Sequence, residues 1–156
     1  MSTLGSPSVS GSGTPVRSHS HSELILLEES SEYEVNVLLV EDNALNMRLT
    51  VALLEKMGPH LRVDQAKNAE IAMGKLAAVA YDLILFDYFL PDGRGDDCVQ
   101  ELRATLGPNQ HTVVFALTAL TDEHTKDKCL EAGMQGVLSK PIEKQKLQSV
   151  LNQFGA

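Results

Sequence analysis

Leu83-Ile84-Leu85-Phe86-Asp87-Tyr88-Phe89-Leu90-Pro91-Asp92-Gly93-Arg94-Gly95 starts as an unbroken apolar run and ends in turn residues. A short run of this kind reads as a strand buried on both faces, as in a parallel sheet covered by helices. Asp87 stands where that strand should end, and Pro91, Gly93 and Gly95 then force a loop. A carboxylate at the C-terminal mouth of a buried parallel strand is costly unless something compensates it. That mouth is also where open α/β sheets bind ligands.

Working outward, the chain repeats the pattern strand then helix five times. Val35 to Val40 is a short β-branched strand ending in Glu41-Asp42-Asn43. Ala44 to Met57 carries Leu45, Leu49, Ala52, Leu53 and Met57 at helical spacing, with Asn43 as N-cap and Gly58-Pro59 as the stop. Leu61 to Ala66 is a more polar strand, expected at an edge. Asn68 caps a second helix running to about Val79, with Ile71, Leu76 and Val79 expected inward. Beyond the Asp87 strand, a third helix is expected over Gly95 to Leu106, with Cys98, Val99 and Leu102 on its apolar side. Thr112 to Leu117 reads as a strand ending in Thr118-Ala119. A fourth helix opens at Thr121-Asp122-Glu123 and stops at Gly133. Gly136-Val137-Leu138 is a short strand ending in Ser139-Lys140-Pro141, and Glu143 to Phe154 is the last helix. Crossovers of this length give a parallel sheet with helices on both faces.

Composition narrows the function. The formal net charge is -8 and no block of Lys and Arg is present, which argues against direct nucleic-acid or anionic-membrane binding. No apolar run approaches the roughly 20 residues of a membrane span, and the N-terminus lacks a signal-peptide core. Cys98 and Cys129 are far apart and in no metal-ligand spacing, so reduced thiols and a cytoplasmic location are expected. Fifteen of the first 22 residues are Ser, Thr, Gly or Pro, too polar a composition to offset chain entropy. Residues 1–34 are therefore expected to form a disordered tail, with a short apolar island at Glu23 to Glu29, and residues 35–156 the folded domain.

Four strand mouths carry polar groups: Glu41 and Asp42, then Asp87, then Thr118, then Lys140. Parallel strands all point one way, so these groups converge at one end of the sheet. Three carboxylates together repel and demand a cation. An oxygen-only site with few protein ligands suits Mg²⁺, with Mn²⁺ the alternative, and no Cys or His stands near to suggest zinc. A lysine and a hydroxyl beside such a metal are typical partners of phosphoryl oxygens. A carboxylate placed there can act as a nucleophile and form an aspartyl phosphate.

Val40-Glu41-Asp42-Asn43, Asp87 with Pro91 and Gly95 four and eight residues on, Leu117-Thr118-Ala119 and Ser139-Lys140-Pro141 together carry a resemblance. From about Asn36 to Phe154 the chain resembles a response-regulator receiver domain. The resemblance implies the flavodoxin-like (βα)5 fold, a five-stranded parallel sheet of order 2-1-3-4-5. It implies Asp87 as phosphoacceptor, Asp42 as direct Mg²⁺ ligand, Glu41 as the acid acting through water, and the Phe89 carbonyl as the remaining protein ligand. Thr118 resembles the hydroxyl that shifts toward the phosphoryl group, and Lys140 the ammonium that binds it, on a cis Lys140–Pro141 bond. Asn43 with Asn46, and Gly133-Met134 ahead of Ser139-Lys140-Pro141-Ile142, resemble receivers of hybrid histidine kinases and phosphorelays more than chemotaxis receivers.

The implied function is a two-component phosphoacceptor. It takes a phosphoryl group from a histidine kinase or a histidine-phosphotransfer protein. It then switches the face formed by the fourth helix, fifth strand and fifth helix, or relays the phosphoryl group. The only catalysis implied is of its own phosphorylation and dephosphorylation, with no separate turnover substrate. A haloacid-dehalogenase-like phosphohydrolase also uses an aspartyl phosphate, but Phe89 stands where its general acid would be. A binding-only pseudo-receiver would have lost acids or the lysine. Two departures are visible. Val137 occupies the place of the usual aromatic three residues before the lysine, and Arg94 precedes Gly95 where an Asp is common. Phe89 and Leu120 replace polar residues that orient hydrolytic water in the family, which implies slow dephosphorylation.

Overall fold

The computed structural model describes residues 34–154. The expected tail up to Tyr33 and its apolar island lie outside them. Five strands form one parallel sheet: β1 (Val35–Val40), β2 (Leu61–Ala66), β3 (Leu83–Asp87), β6 (Val113–Thr118) and β7 (Gly136–Ser139). Their spatial order is β2-β1-β3-β6-β7, which is 2-1-3-4-5 when only these strands are counted. The polar strand Leu61–Ala66 lies at an edge, as its Asp64 and Gln65 led one to expect. Between β3 and the third helix runs a two-stranded antiparallel hairpin, β4 (Phe89–Leu90) with β5 (Gly93–Arg94), which periodicity does not reveal.

The helices are α1 (Ala44–Lys56), α2 (Ala69–Ala78), α3 (Gly95–Ala104), α4 (Glu123–Ala132) and α5 (Lys144–Leu151). Asn43, Asn68 and Asp122 cap α1, α2 and α4 by accepting N–H groups of the first turn, and Gly133 ends α4 at φ 104. Strand side chains alternate between two cores. Leu38, Val40, Ile84, Phe86, Val114 and Ala116 face α2, α3 and α4, where Leu76, Val99 and Cys129 meet them. Val37, Leu39, Leu83, Leu85 and Leu117 face α1 and α5, where Leu54, Leu147 and Leu151 meet them. The central strand is buried along its whole length and apolar from Leu83 to Phe86, because it has no solvent face.

Two helix faces differ from expectation. In α1 the buried residues are Met47, Thr50 and Leu54, whereas Leu45 and Leu49 are 56% and 60% exposed. The helix is apolar on two sides, so the i, i+4 series from Leu45 competes with the series through Met47, and packing selects the latter. In α2 the inward residues are Ala69, Ala72 and Leu76; Val79 is the exposed C-cap. Among the described residues, no helix is long and apolar enough to cross a membrane.

Candidate functional site

Sheet register puts the polar residues side by side. Val40 lies opposite Phe86, so Glu41 and Asp87 leave adjacent strands at the same level. Asp87 lies opposite Leu117, and Thr118 opposite Ser139, which brings Thr118 and Lys140 to the same rim. The Lys140 backbone N–H donates to the Thr118 carbonyl at 2.9 Å, and the Lys140–Pro141 bond is cis.

The Lys140 ammonium bridges two carboxylates, 2.9 Å from Glu41 Oε1 and 3.0 Å from Asp87 Oδ2. Both acids are buried, whereas Asp42 is exposed. Oxygens of Glu41, Asp42 and Asp87 all lie within 4.8 Å of one another. Burial pushes the Asp87 carboxyl up to about 6, against the opposing pull of Lys140, and the nearby Glu41 charge adds to the rise. Burial alone would lower Lys140. Its hydrogen bonds to Glu41 and Asp87 outweigh that effect and hold it above its ordinary value. The ammonium is thus the internal counter-charge of the acid pair.

The other bonds orient the site. Glu41 Oε2 accepts the Asn43 N–H at 3.1 Å, which fixes the turn carrying Asp42 into α1. Asp87 Oδ1 accepts the Phe89 N–H at a long 3.3 Å, so this oxygen is loosely held and available to an electrophile. Thr118 Oγ1 accepts the Leu120 N–H at 3.0 Å. Gly95 is required by crowding: a Cβ there would lie 2.6 Å from the Asp87 carbonyl oxygen, and its N–H donates to Tyr88 O at 2.7 Å.

Glu41, Asp42, Asp87, Thr118 and Lys140 therefore occupy one rim of the sheet, and Phe89 begins β4 two residues past Asp87. Phe89 is 54% exposed, and its ring packs edge-on to that of Tyr88 at 4.8 Å between centroids; Leu120 is 44% exposed. Sequence reasoning missed Asp92, whose carboxylate reaches the first turn of α2. A Pro-Asp-Gly stretch reads as turn chemistry, and nothing local signals a partner more than twenty residues away. It noted Arg94 only as the departure before Gly95 and missed its partners. Its guanidinium pairs with buried Asp96 at 2.9 Å and lies over the Tyr88 ring at 5.6 Å.

The response regulator receiver domain model matches residues 37–152. The chain is 35% identical over 136 residues to the signal transduction histidine-protein kinase BarA of Escherichia coli (strain K12), covering 87% of this chain and 14% of BarA. It is 38% identical over 122 residues to the autoinducer 2 sensor kinase/phosphatase LuxQ of Vibrio vulnificus (strain YJ016), covering 78% of this chain and 14% of LuxQ. The chain thus spans about 14% of the length of these curated relatives. The receiver domain of sensor histidine kinase PA1611 from Pseudomonas aeruginosa PAO1 has a magnesium ion coordinated in its active-site cleft. It superposes with a TM-score of 0.69 at 32% identity, covering 78% of this chain and 97% of that one. Fold and sequence agree over the same stretch, and the chain belongs to the response regulator receiver domain family.

Proposed function

We propose that Asp87 is the phosphoacceptor of residues 35–156, with residues 1–34 a tail outside the catalytic domain. The observation that carries this is the placement of Asp87: buried at the mouth of β3, 3.0 Å from the Lys140 ammonium and grouped with Glu41 and Asp42. The donor set fits one Mg²⁺. All its side-chain donors are hard carboxylate oxygens, and three carboxylates with one ammonium leave two negative charges. Asp42, Asp87 and the Phe89 carbonyl would hold the ion, with Glu41 acting through water. When bound, the ion neutralises charge on the phosphoryl oxygens.

The donor is a phosphohistidine of a histidine kinase or histidine-phosphotransfer protein. An Asp87 carboxylate oxygen attacks phosphorus and forms a P–O bond as the P–N bond breaks. The leaving ring nitrogen keeps that electron pair and, because the ring's other nitrogen carries a proton when the transfer occurs, the histidine departs as neutral imidazole. Lys140 shifts from pairing Asp87 toward the phosphoryl oxygens, and the Thr118 hydroxyl follows by giving up the Leu120 N–H. Hydrolysis reverses the charge change: water attacks phosphorus, the Asp87 P–O bond breaks, and phosphate leaves. Phe89 and Leu120 flank that approach and offer the water no hydrogen bond, so the phosphoryl group persists long enough to be relayed. The two free cysteines suit the reducing cytoplasm in which this exchange would run.

The test is mass spectrometry with a small phosphodonor. One phosphoryl group should add in the presence of Mg²⁺ and not in its absence. Uptake by the Asp87→Asn variant would overturn the assignment.

A further inference from the structure

The segment between β3 and α3 is anchored at both ends. Its inner end is tied to the sheet: the Tyr88 N–H donates to Leu117 O at 2.9 Å, and the Gly95 N–H to Tyr88 O at 2.7 Å. Its outer tip, the Pro91-Asp92 turn of the β4–β5 hairpin, is tied to another element. Asp92 Oδ1 accepts the Ala69 N–H at 2.8 Å and Oδ2 accepts the Glu70 N–H at 3.0 Å. These are the first N–H groups of α2, and they form the positive end of the helix dipole.

Helix α2 does not depend on Asp92 for a cap. Asn68 already accepts the Ile71 N–H at 2.8 Å, with the extended backbone of an N-cap. A second, bidentate cap reaching from another loop adds little to helix initiation, but it fixes where that loop lies. The hairpin carries the constraint inward. Leu90 pairs with Gly93 and Phe89 with Arg94, so a tip held at Asp92 holds the Phe89 backbone two residues from Asp87. Gly93 lies close against Ala69, as a Cβ there would be 3.9 Å from the Ala69 methyl. Bidentate geometry resists rotation of the tip as well as its withdrawal.

We propose that Asp92 is a positioning residue for the phosphoacceptor site. It pins the β4–β5 hairpin to the first turn of α2 and so keeps the Phe89 backbone in place beside Asp87. This rests on the reading of Asp87 and Phe89 given above. Residues that orient ligands from behind commonly change metal affinity about tenfold when removed.

The experiment compares wild type with Asp92→Ala, Asp92→Asn and Asn68→Ala. Asn68→Ala removes a cap from the same helix but leaves the hairpin tie intact, so it controls for helix stability. Two readouts are taken: hydrogen exchange of the 89–93 amides in the metal-free protein, and the Mg²⁺ dissociation constant from amide-shift titration. Asp92→Ala should exchange about tenfold faster over 89–93 and bind Mg²⁺ about five- to tenfold more weakly. Asp92→Asn, which keeps one acceptor, should fall between it and wild type. Asn68→Ala should lower the melting temperature as Asp92→Ala does, yet stay within about twofold of wild type in both readouts. The proposal is overturned if Asn68→Ala weakens Mg²⁺ binding as much as Asp92→Ala, or if Asp92→Ala matches wild type in exchange and affinity. Should wild type bind no Mg²⁺ and take up no phosphoryl group, the functional reading fails, and the 89–93 exchange alone still decides the pinning.

Discussion

After β3 the chain runs through residues 88–95, and after β6 it runs through 119–122. Both segments border Asp87, yet they are held differently. The first is bonded to β6 through Leu117, to itself through the β4–β5 pairing, and to α2 through Asp92. Tyr88 and Gly95 are buried within it. The second makes its contacts locally: the Leu120 N–H donates to Thr118 Oγ1, and Asp122 accepts from Thr125 in the helix it caps. Every residue from Ala119 to Glu123 is exposed. A segment with few buried contacts and local bonds opens at lower free energy than one tied to several elements. On the proposed reading, the segment on the metal side would stay in place, and the segment on the hydroxyl side would move when Thr118 turns its O–H toward a phosphoryl oxygen and releases the Leu120 N–H.

The largest effect on this comparison should come from Lys140, which serves both sides. Lys140→Ala leaves Glu41 and Asp87 buried without their counter-charge. The expected loss of metal-free stability is about 2–4 kcal/mol in urea melts, since removing one partner of a buried pair is far costlier than losing a surface pair. Asp42→Asn should instead leave metal-free stability unchanged or slightly higher while weakening Mg²⁺ binding, because Asp42 is exposed and faces two other acids. Equal losses in the two variants would mean that Lys140 is not the counter-charge.

The next effect is on pH. Burial pushes the folded carboxyl of Asp87 up to about 6, above its ordinary value of 3.8, so the native state holds that proton more tightly than the unfolded chain. The stabilisation this gives is complete below about 3.8 and is lost as pH rises through about 6. Wild type should therefore gain about 2 kcal/mol relative to Asp87→Asn, which cannot titrate, as metal-free samples go from pH 7 to pH 4. A constant difference across that range would contradict the raised carboxyl.

A phosphoryl mimic such as beryllofluoride should separate the two segments directly. Amide shifts should be largest over 119–123 and small over 90–95. Val137, half-buried against the core of α2, α3 and α4, carries no ring to swing inward, so its own shift should be modest. Large changes centred on Val137 with a silent 119–123 segment would reverse the comparison. The smallest effect concerns hydrolysis. A Phe89→Asn, Leu120→Glu double variant supplies one polar group on each side of the water path. It should dephosphorylate about tenfold faster, or roughly 1.4 kcal/mol in the barrier. No acceleration would show that these side chains simply face solvent.

How far the sequence alone carried depends on whether a signal was local. Asp87 was legible because an apolar run can end in a carboxylate for few reasons. Glu41, Thr118 and Lys140 were legible because each ends its own strand or follows it directly. The orientation of α1 was not, since apolar residues on two sides leave the choice to the partners it meets in the α1–α5 core. Asp92 was not, since its role lies in a bond to Ala69 and Glu70 that exists only after the chain has folded. The β4–β5 hairpin escaped notice because two residues on each side are too few to show a period.

On the proposed function, Asp87 receives the phosphoryl group with the aid of a divalent ion. The most direct measurement is the intact mass of wild type and Asp87→Asn after incubation with a small phosphodonor, with Mg²⁺ and with chelator. One phosphoryl group should add to wild type with Mg²⁺ only and be lost on treatment with hydroxylamine, and none should add to the variant. An added group in Asp87→Asn, or equal uptake by wild type in chelator, would contradict it.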